Sequence, residues 1–508
     1  MSPLGRRSAL GMLAVGLPAS VLALSACQGS RGAKATPSLT DRGDVVRGEN
    51  RLAGTETWRS ARGGLRDADD DRSQIQGYAS ATSVAGGETI DFHVTVETPQ
   101  NITISIYRLG WYDGTGGRLV YTSEPLPGRT HPVPLADPVS GLIECAWPAT
   151  WRFPVPADWV SGLYLATFTS ESGRRGCTPF VVRDDRHRAE LCVVLPFPTY
   201  QAYNQWPLDG LRGKSLYYGF PSAGGPISYA ERAVQVSFDR PYSGGGWPKH
   251  FDRDHDFVQW VERRGYDVTY ASTVDLHSGR IVPERYRGLV FCGHDEYWSA
   301  QMRHTASQAV ERGVSLAFLS ANNMYWQIRL EPSRDGREHR VVTCYKTAPD
   351  PVQGLGGRGA TVRWRELGGH GEHAEQGLLG VQYNGIVAAT SPLVVNAANH
   401  WFWAGCNVVD GTELPRLVGG EADGYDPEMP APLGVRATVL SASPYPLRTG
   451  TLYQQNTHLY ETSRGAVVFD AGTLHWTLGL NRRGFRNQKI QTATRNLLDR
   501  IVRRPPWT

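Results

Sequence analysis

Four short segments of this 508-residue chain concentrate the groups that could do chemistry. They are Thr199-Tyr200-Gln201-Ala202-Tyr203-Asn204, Gly293-His294-Asp295-Glu296-Tyr297-Trp298, Ser320-Ala321-Asn322-Asn323-Met324-Tyr325-Trp326 and Asp470-Ala471-Gly472-Thr473-Leu474-His475-Trp476. His294 and Glu296 are the most suggestive pair. A histidine and a carboxylate two positions apart can hold a metal or supply an acid and a base. Charged turns contain the same spacing, so the pair gains its weight from its neighbours. Loop tips without function usually carry Gly, Ser, Lys and Glu, not so many Trp and Tyr.

Each cluster follows an apolar run: Leu191-Cys192-Val193-Val194-Leu195, Leu289-Val290-Phe291-Cys292, Val314 to Leu319, and Val467-Val468-Phe469. Continuous apolar runs of this length suit strands buried on both faces. Between them lie helical patterns. One covers Asp254 to Arg264, with Phe257, Trp260 and Val261 on one face and Gly265 as a stop. Another runs from a Ser299 cap through Val310, and a third from about Phe485 to Arg503 with Ile490, Ala493, Leu497 and Ile501. Strands alternating with helices predict an α/β fold, a doubly wound and mostly parallel sheet of the class I amidotransferase-like kind. Ligands of such sheets bind outside the carboxyl ends of the strands, so the four clusters are expected to build one site. Residues of about 340 to 465 are Gly-rich and are expected to elaborate this domain.

The preceding segment reads differently. Ile90, Phe92, Val94 and Val96 alternate with polar residues, and Ile102, Ile104 and Ile106 repeat the period. Short strands separated by Gly-rich turns predict an all-β, immunoglobulin-like sandwich. The expected domains are therefore a signal peptide over 1–27, a flexible linker over 28–71, a β-sandwich over 72–185 and the α/β domain over 186–508.

The first 27 residues read as an address. Arg6-Arg7 precede a weakly hydrophobic stretch, and Leu24-Ser25-Ala26-Cys27 fits a lipoprotein cleavage box. A twin-arginine (Tat) export signal with lipid on Cys27 is expected, giving an extracytoplasmic, membrane-anchored protein. Six further cysteines would then lie in an oxidising compartment. Cys145 with Cys177 is a candidate bridge, while Cys192 and Cys292 sit in apolar runs as buried thiols. The net charge of +4 is too small to point to nucleic acid. No CxxC, P-loop, zinc-finger spacing or GxSxG occurs, which removes support for thiol-redox, nucleotide and serine-hydrolase chemistry. A cysteine mechanism with Cys292 and His294 rests on fold analogy alone.

The clusters, taken with Ser215-Leu216-Tyr217, Ser237 to Tyr242, Asp256 to Tyr270, Leu417-Val418-Gly419-Gly420-Glu421 and Tyr107 to Tyr112, resemble the large (β) subunit family of N,N-dimethylformamidase over roughly residues 75–500. The resemblance implies a mononuclear iron, as Fe(III), held by two tyrosines and a glutamate. The ligands would be Tyr203 (or Tyr200), Tyr217 (or Tyr218) and Glu296. It implies His294 as acid/base and Asn322 as an orienting group, with Glu421, Lys346 and His475 as further catalytic candidates. Phenolate and carboxylate are hard anionic donors suited to a Lewis-acidic ion. The implied partner is a small amide-like substrate, and a homo-oligomer is one expected assembly. This chain is shorter than that subunit, and only Gln205 to Ser215 separate Asn204 from Leu216. The substrate is therefore expected to differ from dimethylformamide. The competing expectation is a non-catalytic surface protein that binds carbohydrate or peptide on the same scaffold.

Overall fold

The computed structural model of the protein describes residues 45–59, 65–221, 223–352 and 359–503. The export signal and Cys27 lie outside the described residues. Among those described, no helix is long and apolar enough to cross a membrane.

The expected doubly wound parallel sheet is overturned. Helix accounts for only 18%, and the strands lie in several mixed and antiparallel sheets. The apolar runs do form strands: β1 (Leu191–Leu195), β2 (Val268–Ser272), β3 (Gly288–Phe291) and β4 (Ser315–Phe318). Two long strands from the Gly-rich region, β5 (Arg436–Pro446) and β6 (Leu452–Glu461), precede β7 (Val467–Asp470). The order in the sheet is β2-β1-β3-β4-β7-β6-β5. The first five pair in parallel, whereas β6 runs against β7 and β5 against β6. The sequence misled because apolar runs report burial on both faces, not what connects them. The stretch between β4 and β7 holds short strands, irregular segments and the antiparallel pair β5 and β6 in place of crossover helices.

The N-terminal strands form two sheets around one apolar core. The alternating residues are buried as their period requires, with Ile90, Phe92 and Val94 fully inside. They build a three-stranded sheet and a seven-stranded one. The larger sheet is mixed, because Ser83–Ala85 pairs in parallel with the end of Arg174–Arg183. The expected linker is not a tether where it is described. Val45–Asn50 is a helix, and Val46, Glu49 and Trp58 are buried. Glu49 accepts a 2.6 Å hydrogen bond from Tyr112 and pairs with Arg118.

Three helices match the sequence patterns, namely α2 (Phe251–Arg263), α3 (Ala300–Glu311) and α4 (Gln488–Val502), after the short α1 (Phe197–Ala202). Ser299 caps α3 by accepting from the Met302 N–H, which satisfies one of the orphan donors at the helix start. The N-terminal strands are tied to α2 by an ion pair sealed from solvent. Arg108 donates to both Glu262 oxygens, at 2.7 and 3.1 Å, and both side chains are fully buried. Arg108→Ala strands a buried carboxylate and is expected to destabilise the fold by about 3–5 kcal/mol. A lowered denaturation midpoint with an unchanged slope checks this.

Candidate functional site

Strands β1, β3, β4 and β7 are neighbours and parallel, so their carboxyl ends share one edge of the sheet. That edge carries all four clusters. β1 leads into α1, whose last turn hands over to Tyr203. β3 leads to His294 and Glu296, with the Glu296 N–H donating to Thr199 Oγ1 at 3.1 Å. The Ser215 turn brings in the second tyrosine. Its hydroxyl accepts from the Tyr217 and Tyr218 N–H groups, which sends Tyr217 inward and leaves Tyr218 52% exposed.

Glu296 is the hub. Tyr203 donates to its Oε2 at 2.8 Å, and Tyr217 to its Oε1 at 2.5 Å. Trp326 Nε1 donates to Oε1 at 3.0 Å. The two phenol rings stack with centroids 4.5 Å apart. His294 Nε2 lies 3.3 Å from the Tyr203 hydroxyl, 3.3 Å from Glu296 Oε2 and 3.5 Å from Glu421 Oε2. Its Nδ1 faces the Ala321 carbonyl at 3.1 Å, which fixes the ring. Asn322 Nδ2 donates to Glu421 Oε2 at 2.8 Å. Lys346 Nζ sits 3.4 Å from the Tyr217 ring centroid, buried and with no hydrogen-bond partner among the described residues.

Three of these residues hold strained backbone: Asn322 at φ +54°, Met324 at +57° and Lys346 at +59°. Left-handed conformations cost non-glycine residues free energy and cluster at functional sites.

The alternatives of the tyrosine pairs fall elsewhere. Tyr200 donates to Asp254 at 2.5 Å in a fully buried contact. His475 also stands apart: its Nδ1 faces the Arg416 carbonyl at 3.1 Å, and it makes no hydrogen bond to the cluster. The six described cysteines are all free and buried, so the candidate Cys145–Cys177 bridge is not formed. Burial pushes the Cys292 thiol well up, beside Asp254, which is the wrong direction for a nucleophile. Sequence reasoning missed two features. Trp326 lay inside one of the four clusters but was given no role of its own, and Lys249, 4.2 Å over the Tyr203 ring, had no signal at all.

Electrostatics follow from this packing. Burial, then the Glu296 carboxylate, holds the Tyr203 and Tyr217 phenols well above their usual range. Burial also works to raise Glu296, but the His294 hydrogen bond, His294 charge and Lys346 charge outweigh it and keep the carboxylate low. His294 is raised: burial opposes its charge, while Glu421 and Glu296 favour it more strongly. Burial pushes Lys346 down to about 8, against the pull of Glu296. No group of three or more His, Cys, Asp or Glu among the described residues could hold a metal. A metal at this edge would need the phenol oxygens. Two phenols converging on one carboxylate form a compact all-oxygen donor set, which fits a hard, highly charged cation.

The family described as N,N-dimethylformamidase beta subunit-like, C-terminal, matches residues 103–491. The N,N-dimethylformamidase beta subunit of Alcaligenes sp. is 22% identical over 433 residues, covering 72% of this chain and 55% of the relative. That of Paracoccus aminophilus is 23% identical over 334 residues, covering 57% of this chain and 43% of the relative. The chain thus spans about half the length of these curated relatives. A crystal structure of Paenibacillus sp. cycloisomaltooligosaccharide glucanotransferase complexed with cycloisomaltoheptaose matches at TM-score 0.18 and 10% identity, over 80% of this chain and 72% of that one. So low a score does not place the fold.

Proposed function

The chain belongs to the N,N-dimethylformamidase beta subunit-like family, and from that premise we propose that it hydrolyses amide-type C–N bonds of small molecules with a mononuclear iron. We propose further that it works outside the cytoplasm, exported through the Arg6-Arg7 signal and anchored by lipid on Cys27. The observation that carries the catalytic reading is the convergence of Tyr203, Tyr217 and His294 on the Glu296 carboxylate.

In this reading Tyr203, Tyr217 and Glu296 hold Fe(III), which supplies Lewis acidity toward an amide carbonyl and water. The residues around it handle protons and orientation. His294 Nε2 takes a proton from the attacking water and returns it to the leaving nitrogen, so amide plus water becomes carboxylic acid plus amine. Glu421 sets the charge of that imidazole, and Asn322, tied to Glu421, orients the substrate or water. His294, and after it Lys346, keeps Glu296 ionised. His475 does not touch this group and is dropped from the catalytic set.

Both phenols are neutral donors in the arrangement described, and coordination needs phenolates. Iron uptake should therefore release about two protons per ion, one from each phenol, and tighten as pH rises. Base consumption during titration with Fe(III) citrate, against a protein-free blank, measures this. A count near zero would remove the phenols from the donor set.

The function itself is tested by incubating the iron-loaded full chain with a panel of formamides, acetamides and N-acyl amino acids and assaying amine release. Turnover with loss of signal in the metal-free protein is the expected result. Absence of turnover together with saturable sugar or peptide binding would favour the non-catalytic surface protein.

A further inference from the structure

Charges at the site do not balance within it. Glu296 is matched by His294 at 3.3 Å and then by the buried Lys346, and Glu421 also faces His294, at 3.5 Å. Two further cations lie beside these groups, and one of them, Lys249, has no partner among the described residues. Lys249 Nζ lies 4.2 Å from the Tyr203 ring centroid, its side chain is exposed, and it has no ion pair or hydrogen bond among the described residues. Arg253, in the first turns of α2, donates at 3.4 Å to the Leu474 carbonyl and has Asp252 and Asp254 as the opposite charges that favour it most. Both lie within the electrostatic reach of Glu421. Because the two phenols stack on each other, Lys249 covers the outer face of Tyr203, as Lys346 covers that of Tyr217. Lys346 is sealed in, whereas Lys249 is open to whatever enters.

The backbone beneath Lys249 is not casual. His250 holds φ +69° and ψ 1°, a left-handed conformation that a histidine adopts at a cost. It stands edge-on to Tyr203 and His294, with ring centroids 6.0 and 5.8 Å away. A strained residue thus follows an exposed ammonium that lies over the Tyr203 ring.

We propose that the Lys249-His250 turn is the substrate-recognition wall and that Lys249 binds an anionic group, selecting amides that carry a carboxylate near the scissile bond. This rests on the hydrolase reading above for the word substrate, but not for the anion site. An exposed ammonium without a counter-ion gains a charge-assisted hydrogen bond from a carboxylate. A neutral amide gains nothing there.

The test is calorimetric titration of the full chain with N-acetylglycine and with its uncharged counterpart N-acetylglycinamide. The acid should bind about tenfold more tightly, and the preference should shrink with added salt. Lys249→Gln should abolish the preference and leave N-acetylglycinamide binding unchanged, whereas Lys249→Arg should keep it. Equal binding of the two compounds by the wild-type chain, binding of neither, or a preference that survives in Lys249→Gln would each overturn the proposal. Amine release is assayed on the same samples. A Lys249-dependent preference with no amine released from either compound would sink the hydrolase reading and leave the anion site standing.

Discussion

Glu296→Ala is expected to abolish iron binding and to lower turnover by at least about a thousandfold. One carboxylate accepts from Tyr203, Tyr217 and Trp326 and lies beside His294. Its removal takes away the only anion among the described residues that both phenols share. Without it, nothing holds the two hydroxyls at a common point, and the charge that would offset a trivalent cation falls by one. The wild-type chain, purified without added metal or loaded with iron, should hold near-stoichiometric iron with a visible tyrosinate-to-Fe(III) band. The variant should lose both the metal and the band. Its thermal unfolding temperature should fall, because the buried Lys346 ammonium loses the carboxylate that favours its charge, while water entering the gap can meet the three neutral donors. A variant that kept the band and the iron would show that the metal sits elsewhere. A wild-type chain that never binds iron, even after anaerobic Fe(II) loading and reoxidation, would remove the metal altogether.

The site was more legible in the sequence than the fold. Apolar runs at β1, β3, β4 and β7 are a direct record of burial on both faces, and each ended in a polar and aromatic cluster. Reading those ends, with the rule that ligands of parallel sheets bind there, therefore singled out His294, Glu296 and Asn322 as candidates that the structure brings together. The fold needed what the runs do not contain. β5 and β6 alternate irregularly, with a register shift between Val439 and Ser441, and their place in the sheet depends on β7 pairing with the distant β4, Val468 opposite Leu316. Local pattern cannot tell such strands from loop. Tyr217 and Tyr218 are adjacent and chemically identical, so only the Ser215 turn decides which points inward. His475 shows the opposite failure. It lies in one of the four clusters, yet its ring turns to the Arg416 carbonyl. Lys249 was invisible because its role comes from a tertiary stack over Tyr203, and a lone surface lysine carries no pattern.

His294→Gln is expected to separate metal binding from proton transfer. Its Nε2 approaches Glu296 and Glu421, but its removal leaves both phenols and Glu296 in place. Iron content and the tyrosinate band should persist while kcat falls about a hundredfold to a thousandfold, the range for losing a positioned acid/base. Loss of the iron would instead make His294 a ligand. The pH profile carries the sign of the interaction. A base must be neutral to act, and Glu421, ahead of Glu296, raises this imidazole above the ordinary histidine value despite its burial. The acid limb of kcat/KM should therefore rise through a pH above about 6.5. Glu421→Gln removes the largest group favouring the imidazolium, leaving burial to oppose it. The same limb should then move to lower pH, while His294→Gln abolishes it. A limb that stays fixed in Glu421→Gln would assign the titration to another group and leave Glu421 with a positioning role through Asn322 alone.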